Sequence, residues 1–234
     1  MKIFDQSLLQ EYEKEDIILD LIKGQALQKD VGFTSHRWLA ESLPKRMIYF
    51  HMYGKLLEAR CLPMRIIDVG GGYTALSRLL TANHDYTLLD IMAHDDHTAL
   101  LDLEHSLGKR FWENADWYEF NPKGNYDLVI ANDLFPNVDQ RLEQFLEKYL
   151  PACREMRLSL TYYNSPRWYR VKRTDADEIF HMMAWSGDDV VRLLQKYVHR
   201  ILEPRLELFQ KDSPSLFANK RQVCLVTLCG GENS

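Results

Sequence analysis

The stretch Met64-Arg-Ile-Ile-Asp68-Val-Gly70-Gly-Gly72-Tyr-Thr-Ala75, followed by Tyr86-Thr-Leu-Leu-Asp90, decides the fold. Ile66, Ile67 and Val69 make the continuous apolar run of a strand buried on both faces. Gly70 and Gly72 let the chain turn sharply and come close to a ligand where a Cβ would collide. A helix is expected after the turn, and the next strand ends in Asp90, 22 residues beyond Asp68. Strand, glycine turn, helix, strand and acid, in that order, read as a nucleotide-binding βαβ unit whose acid accepts from ribose hydroxyls.

From Met64 onward strands and helices alternate, which predicts an α/β fold, a mostly parallel sheet with helices on both faces. Strands are expected near 65–69, 86–90, 111–115, 126–131, 156–162, 205–209 and 222–228, and helices near 74–82, 97–107, 138–150 and 187–202. Val138, Leu142, Phe145, Leu146 and Tyr149 form one helical stripe ended by Pro151, and Ser186-Gly-Asp-Asp189 resembles a capping box. Upstream, Tyr49, Met52, Tyr53, Leu56 and Leu57 mark an amphipathic helix over 44–60, closed off by Pro63. A helix over 8–23 is interrupted by Glu15 and Asp16, and 29–37, with Gly32, Thr34 and Ser35, reads as a loop. Residues 1–62 are therefore read as an N-terminal helical cap and 63–234 as the nucleotide-binding domain. Residues 162–185 break the alternation with Arg167, Trp168, Tyr169, Arg170, Lys172 and Arg173, then Asp175, Asp177 and Glu178. They read either as a binding segment at the carboxyl edge of the sheet or as a solvated surface helix.

The 234 residues, 46% of them hydrophobic, suffice for one sizeable core. Lys and Arg total 29 against 34 Asp and Glu, and the resulting net charge of -5 disfavours broad electrostatic binding to nucleic acid. No run of eighteen apolar residues occurs and Met1-Lys-Ile-Phe-Asp5 lacks a signal-peptide core, so a soluble, cytoplasmic protein with no membrane segment is expected. Cys61, Cys153, Cys224 and Cys229 have no CxxC spacing and read as reduced thiols, and His94-Asp-Asp-His97 reads as a helix start rather than a metal site.

The pattern Asp68-x-Gly70-x-Gly72 resembles the first motif of class I methyltransferases that depend on S-adenosylmethionine (SAM). A carboxylate two residues before the glycine turn suits a cofactor carrying a sulfonium and an ammonium, and would repel a pyrophosphate. Asn114-Ala-Asp116-Trp117 and Tyr126-Asp-Leu-Val-Ile-Ala-Asn132-Asp133-Leu-Phe-Pro136 are similar to later motifs of that family, so the resemblance spans about residues 64–164. Two closely spaced terminal strands resemble the sixth and seventh strands of the family, whose last strand is antiparallel.

The resemblance implies a Rossmann-like sheet, SAM as cofactor and methyl transfer. It implies that Gly70, Gly71 and Gly72 floor the methionine part of the cofactor and that Asp68 orients the turn. Asp90 with Ile91 would take the ribose, Asp116 with Trp117 the adenine, and Asn132 would stand beside the methyl. Asp133 is the first candidate base, ahead of His51, His36, Tyr162 and Tyr163. Segments 33–57 and 162–185 are expected to enclose a small-molecule acceptor through His36, Arg37, Tyr53, Tyr163, Trp168 and Arg170. The expected acceptor group is a hydroxyl, on a sugar or acidic glycan precursor. No metal is expected, because Asn164 stands where metal-dependent relatives carry a second acid. Two rival readings stay open: a nicotinamide oxidoreductase, since Gly70-x-Gly72-x-x-Ala75 also meets the dinucleotide fingerprint, and a non-catalytic SAM-fold binding protein. A methyltransferase acting on base amino groups is disfavoured because Asn132-Asp-Leu-Phe135 lacks the prolines of that motif.

Overall fold

The computed structural model describes residues 1–231 apart from 26, 28, 174–177 and 211–213. Strands β1 (Lys2–Ile3), β2 (Arg65–Val69), β3 (Asp85–Leu89), β4 (Trp112–Glu113), β5 (Tyr126–Asn132), β6 (Cys153–Tyr162) and β9 (Gln222–Cys229) form one sheet. Their order is β1-β9-β6-β5-β2-β3-β4. The five strands from β2 to β6 run parallel, whereas β9 is antiparallel to both β6 and β1. Because β9 runs backwards, its first residues lie at the edge where the parallel strands end. The register Tyr162↔Gln222 places them there.

Strand alternation divides the core between two faces. Ile67, Val69, Val129 and Ala131 pack with α7 (Leu142–Tyr149) and α8 (Gly187–Gln195). Ile66, Leu88, Leu128 and Ile130 pack with α5 (Ala75–Asn83), α6 (His97–Leu107) and the N-terminal helices α1 (Gln6–Glu13), α2 (Ile17–Gln25), α3 (Thr34–Glu41) and α4 (Leu43–Tyr53). In α4, Met47, Ile48, Met52 and Tyr53 are buried. At about 1.5–3 kcal/mol for each large apolar side chain, this one helix contributes on the order of 6–12 kcal/mol of gross apolar burial. The N-terminal helices thus share one core with the sheet.

The structure departs from the sequence reading in several places. The expected strand 205–209 is a 3-10 turn, Leu206–Gln210, and the sheet edge is taken by Lys2–Ile3 instead. A single terminal strand therefore returns antiparallel, and a two-residue segment from the other chain end completes the edge. The supposed loop 29–37 contains the start of α3, because Thr34 and Ser35 occupy its first turn. The helix expected over 8–23 is broken where Asp16 caps α2 through Leu19 N–H and accepts from Arg46 and the Tyr12 hydroxyl. The helix over 44–60 gives way to a 3-10 turn at Gly54–Leu57, that over 138–150 begins at Leu142, and that over 187–202 stops at Gln195. The capping box forms as expected between Ser186 and Asp189. Segment 162–185 is neither a helix nor irregular: β7 (Arg167–Arg173) and β8 (Glu178–Ala184) make a separate antiparallel hairpin, with Asp175 and Asp177 outside the described residues. No helix among the described residues is long and apolar enough to cross a membrane.

Candidate functional site

The site is built where β2 ends. Gly70 and Gly72 adopt φ of +67° and +64°, left-handed values that non-glycine residues adopt only with strain. The Gly72 N–H donates to Asp90 Oδ2 at 2.9 Å and the Met92 N–H donates to Asp90 Oδ1 at 2.7 Å, so the acid closing β3 ties the glycine turn to its own loop. Burial holds the Asp90 carboxyl above its ordinary value, and the two amide bonds oppose that shift. Ile91 beside it is 46% exposed, an apolar surface next to a carboxylate at the edge of the sheet. Beneath the turn, Asp68 accepts from the hydroxyls of Tyr53 at 3.1 Å and Tyr86 at 2.9 Å. It points to this face because it shares the parity of Ile66. Burial raises its pKa from 3.8 to about 7, against the pull of the two tyrosine bonds.

Helix α3 lies across the turn. A Cβ on Gly72 would overlap the Ser35 side chain. The Ala75 N–H at the start of α5 donates to His36 Nδ1 at 3.2 Å, and the Thr34 N–H donates to Asp95 Oδ1 at 2.7 Å. His36 is buried, which lowers its pKa, and an Nδ1 that accepts from an amide belongs to a neutral ring. One short helix therefore bridges the loops that follow β2 and β3.

A second group of polar side chains stands above β5 and its neighbours. Asp133, which follows β5 with φ of +58°, accepts from Arg221 Nη1 at 3.0 and 3.2 Å, from Lys45 at 3.5 Å and from the Thr161 hydroxyl at 3.3 Å. Asn132 Oδ1 accepts from the Ser159 hydroxyl at 2.6 Å, and its buried amide also faces the Tyr49 hydroxyl. Lys45, Tyr49, Asn132, Asp133, Ser159 and Arg221 line a cavity of about 30 Å³. Tyr49 also donates to the Gly71 carbonyl at 3.3 Å, so α4 spans from the glycine turn to this cluster.

No protein-family model matches the chain, and no curated protein matches it. Solved structures do match. DhpI in complex with SAH is 15% identical with a TM-score of 0.52 over 91% of this chain and 98% of that one. Magnesium protoporphyrin IX methyltransferase of Synechocystis PCC 6803 with bound SAM is 13% identical with a TM-score of 0.51 over 97% and 98%. The N-terminal domain of EvdMO1 in the presence of SAH and D-fucose is 13% identical with a TM-score of 0.50 over 77% and 80%. The fold is that of the class I SAM-dependent methyltransferases. At these identities the likeness is one of fold, and the residues have to be placed one by one.

In this methyltransferase fold the residues expected to meet the cofactor fall into two groups. Gly70, Gly71, Gly72, Asp90 and Ile91 come together at the ends of β2 and β3, and Asn132 ends the adjacent β5. Asp116 lies past β4, 44% exposed at its side chain, and accepts from the Tyr118 N–H at 2.7 Å. Trp117 turns the other way: its ring is buried against Phe135, Phe145 and Tyr149, and its Nε1 donates to Asp139. Asp68 is beneath the turn rather than in the groove above it.

The residues expected on the acceptor side scatter further. His51 lies away from Asp133, with its ring between Phe4 and Phe50 and its Nδ1 3.3 Å from Lys2 Nζ. Burial, aided by Lys2, lowers its pKa to about 4. Tyr53 is under the glycine turn, His36 is committed to Ala75, and Arg37 is exposed on α3 with a contact to Thr34. The pairing Trp168↔Met183 and Arg170↔His181 puts Trp168, 70% exposed, and Arg170 on the outer face of the hairpin. On the opposite face, Tyr169 reaches the Asn137 carbonyl at 3.4 Å. Arg167 stacks over the Tyr163 ring at 4.5 Å and donates to Asn219. Lys45, Tyr49 and Arg221 were not expected at the site from sequence, Tyr49 having been read only as part of a helical stripe. The helical period of α4 places 45 and 49 on one face and could have found that pair, whereas nothing local marks Arg221.

Proposed function

We propose that this protein transfers a methyl group from SAM to a hydroxyl of a small molecule, with sugars as the first acceptor class to test. The observation that carries the reading is the Gly72–Asp90 arrangement. Two left-handed glycines end the first parallel strand, and a partly exposed carboxylate at the end of the next one is fixed by the turn's own amide. These residues fit the cofactor. Asp90 keeps lone pairs for vicinal hydroxyls, and Ile91 offers an apolar surface for a flat base. A similar structure determined in the presence of SAH and D-fucose supports the choice of a sugar as test acceptor.

When bound, SAM supplies an electrophilic methyl and a good leaving group. The protein's tasks are then to hold the acceptor oxygen about 3 Å from that methyl and to take its proton. Asp133 is the candidate base, since it follows Asn132 at the end of β5. Its oxygens are already engaged by Arg221, Lys45 and Thr161, so it accepts a proton only as one of these contacts gives way. His51, held by Lys2 and Phe4, is not assigned to the reaction.

A second reading, a SAM-fold protein that binds without transferring, is favoured by the packing of Ser35 on Gly72, which narrows the approach to the turn. Calorimetric titration with SAH and with NADH, followed by incubation with labelled SAM and cell extract and mass spectrometry of the products, separates the readings. SAH binding with a labelled product supports methyl transfer. SAH binding with no labelled product supports the second reading, and NADH binding without SAH binding refutes both.

A further inference from the structure

We infer that Lys45, Arg221 and Asn132 form a binding site for an anionic group of the acceptor, a carboxylate or phosphate, with Asp133 acting as the internal counter-ion that the ligand displaces. The inference rests on the methyltransferase reading for the word acceptor, while the site itself stands on the geometry below.

Three donors converge on one cavity. Arg221 is 8% exposed and its Nε is buried with no partner among the described residues, and Asn132 Nδ2 is buried beside the Tyr49 hydroxyl. Lys45 Nζ reaches the cavity from α4 with a quarter of its side chain exposed. A buried donor without an acceptor costs free energy unless something accepts from it, so Arg221 Nε with the Lys45 ammonium beside it defines a place for a ligand rich in acceptors. Within the trio of Lys45, Arg221 and Asp133, one carboxylate faces two cations and leaves one positive charge uncompensated. The guanidinium is prearranged for this task, with its carbon 4.0 Å from the Phe217 ring centroid and its backbone tied to Asn219 and Ser215.

The donors gather at Asp133, which follows β5, the strand beside the glycine-bearing β2, while the Arg221 backbone stands further across the sheet. Arg221 immediately precedes β9, which lies beyond β6 and β5 from the glycine-bearing β2. At 4.7–4.9 Å between neighbouring strands, β9 lies roughly 14 Å across the sheet from β2. The cavity of about 30 Å³ holds a water or two and not a whole carboxylate. An incoming anion therefore takes Arg221 and Lys45 away from Asp133, and the same exchange opens Asp133 Oδ2 to a hydroxyl proton while Thr161 and Asn137 keep Oδ1.

The test is a calorimetric titration of the full chain with inorganic phosphate, with and without saturating SAH. Wild-type protein should bind phosphate, Arg221→Gln should weaken binding at least tenfold, and Lys45→Gln should weaken it severalfold. Asp133→Asn, which removes the internal counter-ion, should tighten binding severalfold, a sign that a merely structural role for the cluster does not produce. Arg192→Gln on the exposed face of α8 is the control and should leave binding unchanged. If Arg221→Gln does not fold, Lys45→Gln and Asp133→Asn still decide the matter by their opposite signs. Phosphate affinity that is absent in wild type, that is indifferent to Lys45 and Arg221, or that does not rise in Asp133→Asn overturns the inference. Competition by SAH also overturns it, since the anion would then be the cofactor's own carboxylate. A protein that binds phosphate through Arg221 but never binds SAH keeps the anion site and loses the methyltransferase reading instead.

Discussion

Replacing Asp68 with Asn should remove a pH dependence that the fold carries because of its own glycine-turn motif. Asp68 is 3% exposed, and burial raises its pKa from 3.8 to about 7 even though the Tyr86 and Tyr53 hydroxyls both donate to it. The unfolded chain releases this proton near pH 4 and the folded chain near pH 7, so between those values the folded state holds more protons and stability falls as pH rises. At about 1.4 kcal/mol per unit, the full cost of the buried charge above pH 7 is on the order of 4 kcal/mol, of which about 2 kcal/mol develops between pH 5 and pH 7. Asn has the same shape, can accept from one tyrosine and donate to the other, and does not titrate. Urea unfolding of both proteins at pH 5 and pH 8 reads the difference, with other titrating groups such as His36 and His51 cancelling between them. The advantage of Asp68→Asn over wild type should grow by about 3 kcal/mol from pH 5 to pH 8. Parallel stability profiles for the two proteins would show that Asp68 is not a buried, titrating carboxylate, and the account of the turn would fail.

Asp90→Ala removes the acceptor of the Gly72 and Met92 amides and should weaken SAH binding by about 1–3 kcal/mol in calorimetry; unchanged affinity would take Asp90 out of the site. His51→Ala should leave turnover within about twofold while lowering stability by about 1–2 kcal/mol through lost packing on Phe4 and Phe50, and an inactive, folded variant would return His51 to the reaction. Gly72→Ala should cost about 1–2 kcal/mol in backbone strain and about 1–3 kcal/mol more from collision with Ser35. Adding Ser35→Gly should recover only the second part, so strictly additive effects in the thermal unfolding of the double variant would mean that α3 does not press on the turn.

The βαβ unit was legible in the sequence because its determinants are local. A continuous apolar run, glycines at φ-demanding positions and an acid at the end of the next strand act through residues within about 25 positions of each other. The parallel strands β2, β3, β5 and β6 and the Ser186 cap were legible for the same reason, whereas the reversed last strand was expected from the family resemblance. Other features depended on who the neighbours are. Thr34 and Ser35 read as loop residues until the groove over Gly72 gave α3 something to cover. Residues 205–209 have strand-like composition, yet Lys2–Ile3 occupies the sheet edge. Trp168 and Arg170 drew attention by residue type, but hairpin parity turned them outward and gave the inner face to Arg167 and Tyr169. Most of the acceptor side was out of reach for one physical reason. Arg221 meets Asp133 across 88 positions because an antiparallel strand returns its first residue to the edge where the parallel strands end. The sequence by itself determined the parallel strands of the sheet, the glycine turn and the acid facing it. Tertiary structure alone decided which charges gather above β5, because that gathering depends on long-range register and not on any local pattern.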